Sequence, residues 1–269
     1  MQTKRAKKYP LMTELRVAEA LAREAGQEMK RATRGEFAVR LKGVNDLVTE
    51  VDIAIETFLR NELSAIFGGD QIWGEEFGKP DGSVSRRWLI DPIDGTLNFS
   101  MGIPVSCVSI ALQIDGRSEV GVVFEPYRDE LFSAVRGVGA YLNGVPISVS
   151  DTADLGDAVL ATGFIPSQEA ANVDHFVRAL DRTRGIRRLG SAAVDLAYVA
   201  CGRLDGFWEL GLNPWDTAAA YLLVEEAGGT VTDIDAGAFS GYESSVVATN
   251  GEIHSALLDM LGVQPDDER

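Results

Sequence analysis

The chain has 269 residues, 45% of them hydrophobic, with 25 Lys and Arg against 41 Asp and Glu and a formal charge of -16. That length and apolar share suit one large or two compact soluble domains with a real core. The acidic balance argues against nucleic acid or an anionic membrane as the main partner, because both need basic surface.

In chain order, the basic start MQTKRAKKYP is followed by no apolar signal region and reads as a frayed tail, as does the acidic QPDDER at the other end. No run of about 18 apolar residues offers a membrane span. Apolar residues at three- and four-residue spacing (Leu11, Leu15, Ala18, Ala22, Ala25, Met29) predict a helix over 11–31, and Ile55, Leu59, Leu63 and Ile66 predict a second over 52–67, stopped by Gly68-Gly69. Short Val-, Ile- and Phe-rich runs then follow (RWLID, VSCVSIALQI, SEVGVVFEP, ELFSAVRG), with hairpin signals at Asp115-Gly116 and Asn143-Gly144. They predict a largely antiparallel sheet with helices beside it.

From about Val149 strands and helices alternate. Strands are expected at AVLATGF, IRRLG, GFWELGL, TVTDI and SSVVATN, and helices over 172–182, 191–200, 216–227 and 252–261. The expected fold class is mixed α+β. An antiparallel N-terminal unit with helices over 1–149 is followed by a smaller α/β unit over 150–269. Cys107 and Cys201, far apart in apolar contexts, read as buried free thiols of a reducing, cytoplasmic compartment.

Acidic residues collect at the ends of these elements: Asp46, Glu50 and Asp52 in NDLVTEVD, Glu75 and Glu76 in IWGEEFG, Asp91 and Asp94 in LIDPIDGT, and Asp216 in NPWDTAAAYLLVEEAGG. Each has an ordinary structural explanation. Asp52 can start a helix, Asp216 can be an N-cap, Glu75 can sit in a solvated turn, and Asp-Pro-x-Asp-Gly can be only a turn. No Glu stands three residues after Asp216 to complete a capping box from it. As a set they make different chemistry. Carboxylates that converge without Lys or Arg repel one another unless a cation sits between them, and hard divalent cations want several oxygens. Asp91 can bridge two ions, Asp94 can turn back after Pro92, and the Ile93 carbonyl lies between them. Gly95 and Thr96 offer N–H groups at a helix start, a phosphate cradle. That is an arrangement for metal-assisted hydrolysis of a phosphate ester.

The blocks DLVTEVD, GEE, DPIDGTLNF and WDTAAAYLLVEEAGG, in that order and with GSAAVDLAYVACGRLDGFWELGL between the third and fourth, resemble the inositol monophosphatase family of Mg²⁺-dependent, Li⁺-sensitive sugar phosphatases. The resemblance runs from about Leu11 to Leu261. It implies a layered αβαβα fold, a homodimer and two or three Mg²⁺ ions. Glu75, Asp91 and the Ile93 carbonyl would hold the first ion; Asp91, Asp94 and Asp216 the second; Glu75 would face a weaker third. Asp52 would accept from Thr96 and the pair would orient the attacking water. Gly95 and Thr96 would receive phosphate. Gly190, Ser191, Ala192 and Glu209 fall where the family contacts the alcohol, and Lys42 in a mobile loop near the metals. Leu97 stands where some members have a second Thr, and TGFIPS replaces a more usual Gly-Phe-Pro run, which can reshape a pocket loop.

Rival readings fail on spacing. A haloacid-dehalogenase-type site needs Asp-x-Asp, not Asp-x-x-Asp with Pro between. The two histidines, His175 and His254, come with no nucleophile elbow, and GVGAYLNG reads as a hairpin rather than a dinucleotide loop. Asp195, inside a helix, matches no other acid and reads as structural. The expected partner is thus a small phosphate ester. A carboxylate at Glu209 favours a polyol and repels a second phosphate, which points to inositol 1-phosphate over fructose 1,6-bisphosphate, adenosine 3',5'-bisphosphate or a nicotinamide dinucleotide phosphate; histidinol phosphate, with its ammonium, is the alternative. A reading of another class is a regulatory or binding protein on the same fold.

Overall fold

The computed structural model describes residues 11–33, 35, 37–43, 46–82, 84–165 and 169–262, so both terminal-tail expectations lie outside the described residues. Helix α1 (Met12–Ala32) is followed by a hairpin of β1 (Val39–Gly43) and β2 (Asp46–Thr49), then α2 (Glu50–Ile66) and β3 (Gln71–Gly74). β4 (Arg86–Asp94) leads through the single turn α3 (Thr96–Ser100) to β5 (Cys107–Ile114), β6 (Arg117–Glu125), β7 (Glu130–Val135), β8 (Gly139–Leu142) and β9 (Val145–Pro146). Among the described residues β3 to β9 form one seven-stranded sheet in sequential order, with β3 and β4 parallel and the other pairs antiparallel. At Asp115-Gly116 and Asn143-Gly144 both residues have positive φ, the turn geometry that matches strand twist.

The second half supplies β10 (Val159–Thr162), α4 (Glu169–Leu180), β11 (Gly185–Arg187), α5 (Ala192–Ala200), β12 (Gly206–Leu210), α6 (Pro214–Glu226), β13 (Thr230–Thr232), β14 (Ser245–Thr249) and α7 (His254–Leu261). Its sheet runs β11-β10-β12-β14-β13, parallel across the first three strands and antiparallel across the rest.

Among the described residues, three cores define five layers. Helices α1 and α2 cover one face of the large sheet, burying Trp88, Ile90, Val108, Ile110, Leu112 and Val122. The other face, with Leu89, Cys107, Ala111, Val123 and Phe132, packs on α5 and α6, which also meet Phe207, Val246 and Ala248 of the small sheet. The far face of that sheet carries Leu160, Trp208 and Val247 under α7 and Ala179 of α4. The layering is αβαβα. The apolar runs of β4, β5 and β6 are continuous because both faces are covered. Helix α6 is apolar on all sides because it lies between two sheets. His254 is structural: its ring bridges the Thr232 and Thr249 hydroxyls at 3.1 and 3.0 Å.

Ahead of α2, β1 pairs antiparallel with β2 of the DLVTEVD block; the Lys42 backbone lies in β1, and its side chain is outside the described residues. Two local helix expectations need correction. Helix α2 starts at Glu50 rather than Asp52, because Thr49 is the N-cap and Asp52 closes a capping box with it. Helix α6 starts at Pro214 rather than Asp216. Proline is well placed in a first turn, and the Asp216 carboxylate accepts the Asn213 N–H at 2.7 Å. Asp216 is thus the far partner of a box.

The middle layer sits close to the large sheet: a Cβ on Gly121 of β6 would run into the Ala219 carbonyl of α6. Gly121→Ala should lower unfolding free energy by about 2 kcal/mol or more in urea titration, whereas Gly69→Ala, at a glycine with open space around it, should stay within about 0.5 kcal/mol.

Candidate active site

Strand β4 pairs Asp91 with Ser109 and Asp94 with Cys107. It takes three steps where β5 takes two, so one extra residue is accommodated between the carboxylates. In a regular strand, residues three apart face opposite sides. The extra residue returns Asp94 to the face of Asp91 and Leu89, the one that looks at the middle helices. Pro92 suits the interruption because it has no N–H to offer the ladder. The Ile93 N–H donates to Asp91 Oδ1 at 3.0 Å, while the Ile93 side chain is buried in the α1–α2 core.

Gly95 follows with φ 94° and precedes α3. A Cβ there would press on the carbonyls of Gly190 and Val105 at 3.0 and 3.1 Å, so both conformation and space call for glycine. Thr96 opens α3; its Oγ1 donates to Asp52 Oδ1 at 3.2 Å and to the Ile93 carbonyl at 2.9 Å. Asp52 Oδ2 accepts from the Thr49 N–H at 2.8 Å and from the Thr49 hydroxyl. Asn98, on the same turn, donates to the carbonyls of Val105 and Leu189 at 2.8 and 2.7 Å, tying α3 to the loop that carries Gly190.

Glu75 lies just past β3, which runs parallel to β4 with Gly74 beside Ile90, so it emerges next to Asp91. Asp216 comes from the first turn of α6. Asp94 is held by α5: Ser191 Oγ donates to it at 2.7 Å, the Ala193 N–H at 2.6 Å and the Ala192 N–H at 3.3 Å. Ser191 and Ala192, expected against the alcohol, therefore also fix a carboxylate at a helix N-terminus. Glu75, Asp91, Ile93, Asp94, Gly95, Thr96, Gly190, Ser191, Ala192, Glu209 and Asp216 all line one cleft of about 200 Å³, with Asp52 behind Thr96. The cleft also takes in Phe164 and Ile165 of TGFIPS and the Arg188 guanidinium. A Cβ on Gly163 would fall inside the Glu209 carboxylate, so that glycine makes room for it.

Two features escaped the sequence reading. Asp195, expected to be structural, lines the cleft, is 1% exposed, and has Oδ1 buried with no hydrogen-bond partner among the described residues. Helical spacing from Ser191 and Ala192 was the available signal. The second feature, behind Glu75, has only a four-residue spacing on α2 as its signal.

Electrostatics set the character of the cleft. Burial, then the charges of Glu75, Asp94, Asp216 and Asp52, push the Asp91 carboxyl well above the usual carboxylate range. Burial raises Asp94 too, against the hydrogen bonds from Ser191, Ala193 and Ala192. Asp216 is raised well above its ordinary value by burial, partly offset by the Asn213 N–H, with Asp94 and Glu75 adding to the rise. Glu209 is pushed up to about 8 by burial and Asp94, against Arg188. Among the described residues no three His, Cys, Asp or Glu side chains stand in finished metal-ligand geometry. The donor set nevertheless fits a hard divalent cation: oxygen ligands only, several anionic, with Asp91 and Asp216 destabilised by their acidic neighbours in a way that a cation relieves.

Five αβαβα layers, with an acid-lined cleft at the carboxyl ends of a parallel strand pair, are the build of the sugar-phosphatase fold. Residues 11–262 match the model of the inositol monophosphatase family, and the chain belongs to that family. It is 42% identical to an inositol-1-monophosphatase of Synechocystis sp. over 261 residues, 95% of this chain and 91% of the relative. It is 44% identical to the Nus factor SuhB of Escherichia coli K12 over 250 residues, 91% and 94% of the two chains. The crystal structure of the extragenic suppressor protein suhB from Bartonella henselae superposes with a TM-score of 0.90 at 38% identity, covering 93% of this chain and 98% of that one.

Burial, then Glu209 and Asp94, raise the Asp195 carboxyl well above its unfolded value. A group raised on folding contributes stability that is present below its unfolded pKa, about 4, and lost as pH rises through the folded one. Relative to wild type, Asp195→Asn should therefore gain stability in the metal-free protein as pH rises from about 4 toward about 8. Urea titrations in EDTA across that range would show the divergence; a pH-independent difference would mean Asp195 is not the buried acid described.

Proposed function

We propose that this protein is a Mg²⁺-dependent phosphomonoesterase acting on a small polyol phosphate, inositol 1-phosphate before histidinol phosphate. The observation that carries the reading is the convergence of Glu75, Asp91, Asp94 and Asp216 on one cleft beside the N-terminal turns of α3 and α5. The relative from Synechocystis, named an inositol-1-monophosphatase, supports it. Glu75, Asp91, Asp94, Asp216 and the Ile93 carbonyl would hold two or three Mg²⁺ ions. When bound, the metal supplies an acidified water and charge neutralisation at the phosphoryl oxygens.

The chain's own groups do the rest. Thr96 Oγ1 spends its hydrogen on Asp52 and Ile93, so its lone pairs accept from a water and orient it. Asp52, anchored by Thr49, keeps that hydroxyl in place. The N–H groups of Gly95 and Thr96, at a helix start where no intrahelical acceptor exists, receive the phosphate. Ser191 and the α5 amides keep Asp94 turned into the cleft, and Gly190, Ser191 and Ala192 border the alcohol. Glu209 faces the substrate hydroxyls; divalent charge beside Asp94 would lower its pKa toward the ionised, accepting form. Li⁺ inhibition, a cytoplasmic setting and a homodimer belong to the same reading; exposed Leu97, Met101 and Ile103 beside α3 offer apolar surface for a second copy.

The relative named Nus factor SuhB supports a second reading, in which the fold serves a partner. Phosphate release separates the two. With Mg²⁺, inositol 1-phosphate should be hydrolysed faster than histidinol phosphate, fructose 1,6-bisphosphate or adenosine 3',5'-bisphosphate, and Li⁺ should inhibit. Release from none of them, with Mg²⁺ still bound, would favour the partner reading. Asp91→Asn should abolish Mg²⁺-dependent turnover; retained turnover would end the metal mechanism. Glu209→Gln should raise KM for inositol 1-phosphate about tenfold, with the Mg²⁺ requirement unchanged. An unmoved KM would remove Glu209 from the substrate's surroundings.

A further inference from the structure

Helix α2 presents Asp52, Glu56 and Arg60 at successive four-residue steps, a single stripe along one face. Asp52 reaches Thr96. Glu56, fully buried, turns to the segment that follows β3: its Oε2 accepts the Glu76 N–H at 2.7 Å and its Oε1 the Phe77 N–H at 3.2 Å. Arg60 closes the arrangement. Its Nε donates to Glu56 Oε1 at 2.8 Å, and its two terminal nitrogens donate to the carbonyls of Ile72 and Gly78, each at 2.9 Å. The guanidinium also lies over the Phe77 ring, 5.5 Å from its centroid. The backbone around Glu75 is thus gripped on both sides, by its amides through Glu56 and by its carbonyls through Arg60. The glycine of GEE belongs to this grip, since a Cβ on Gly74 would fall inside the Glu56 carboxylate.

We infer that Glu56 and Arg60 are positioning residues that hold the Glu75 turn at the metal cleft, so that one helix places both the Asp52–Thr96 pair and the Glu75 carboxylate. A buried charged pair is a costly way to brace an ordinary turn, and hydrogen bonds to charged groups are the ones strong enough to fix it. Glu56 touches neither substrate nor metal in this account; it acts through the backbone of residues 76 and 77. The inference rests on the metal reading of the cleft.

The test compares the full chain with Glu56→Gln, Arg60→Met and Glu125→Gln. Glu125 is an equally buried carboxylate, bonded to Tyr198 and Arg128 at 2.9 Å each and remote from the Glu75 turn, and serves as a control for loss of a buried acid. Mg²⁺ alone is titrated by calorimetry, and amide exchange is followed over residues 74–78. Glu56→Gln should weaken Mg²⁺ binding about tenfold or more and speed exchange at the 76 and 77 amides, while Glu125→Gln lowers Tm without moving either. Arg60→Met, whose side chain is partly exposed, should act in the same direction and covers the case in which Glu56→Gln does not fold. Unchanged Mg²⁺ affinity in folded Glu56→Gln and Arg60→Met would overturn the inference. If the wild-type chain binds no Mg²⁺, the metal reading fails instead, and the exchange rates alone decide whether the grip exists.

Discussion

The site depends on one extra residue in a strand. Asp91 and Asp94 are three apart, and in an unbroken strand they would face opposite layers, one toward α1 and α2 and the other toward α5 and α6. The interruption at Pro92 and Ile93 puts both on the inner face. It also leaves Ile93 buried on the outer side, so the interruption is anchored by apolar packing. The short turn of Gly95 and α3 follows directly, so the N–H groups that open α3 sit within a few residues of the acids.

The second constraint is the middle layer. Helices α5 and α6 lie between two sheets and bury mostly apolar side chains, so the acids they bring to the cleft sit at or next to their first turns. Both first turns point at the cleft. One grips Asp94 with Ser191 and two amides, and the other carries Asp216, whose bond to the Asn213 N–H fixes it as the helix begins. A capping interaction and a candidate metal ligand are thus the same side chain. The two explanations weighed for Asp216 are compatible because a carboxylate has lone pairs for both. Asp52 shows the same economy: it caps α2 with Thr49 through one oxygen and holds Thr96 through the other.

The electrostatic consequence is a cleft whose acids are raised by burial and by one another. Such an assembly stores repulsion that a divalent cation would turn into affinity. Asp195 and Glu209 extend the set of raised acids beyond Asp91, Asp94 and Asp216, along the same cleft. Arg188 lowers Glu209 and so offsets part of that rise.

Much of this was legible in the chain because it is local. Periodicity located the helices to within a few residues, Asp-Gly and Asn-Gly marked hairpins, and acids at the ends of apolar runs marked the cleft. The four motif blocks in order carried the family. What the chain could not display is parity and partnership across distance. The face on which Asp94 lands depends on a register with β5. The second role of Ser191 and Ala192 depends on α5 docking against β4. The grip of Glu56 and Arg60 on the Glu75 turn joins residues up to 21 apart in sequence, and the place of Asp195 in the cleft wall depends on two sheets closing round a helix. Residue spacing encodes local geometry, whereas hydrogen bonds between distant backbone segments exist only once the layers have packed.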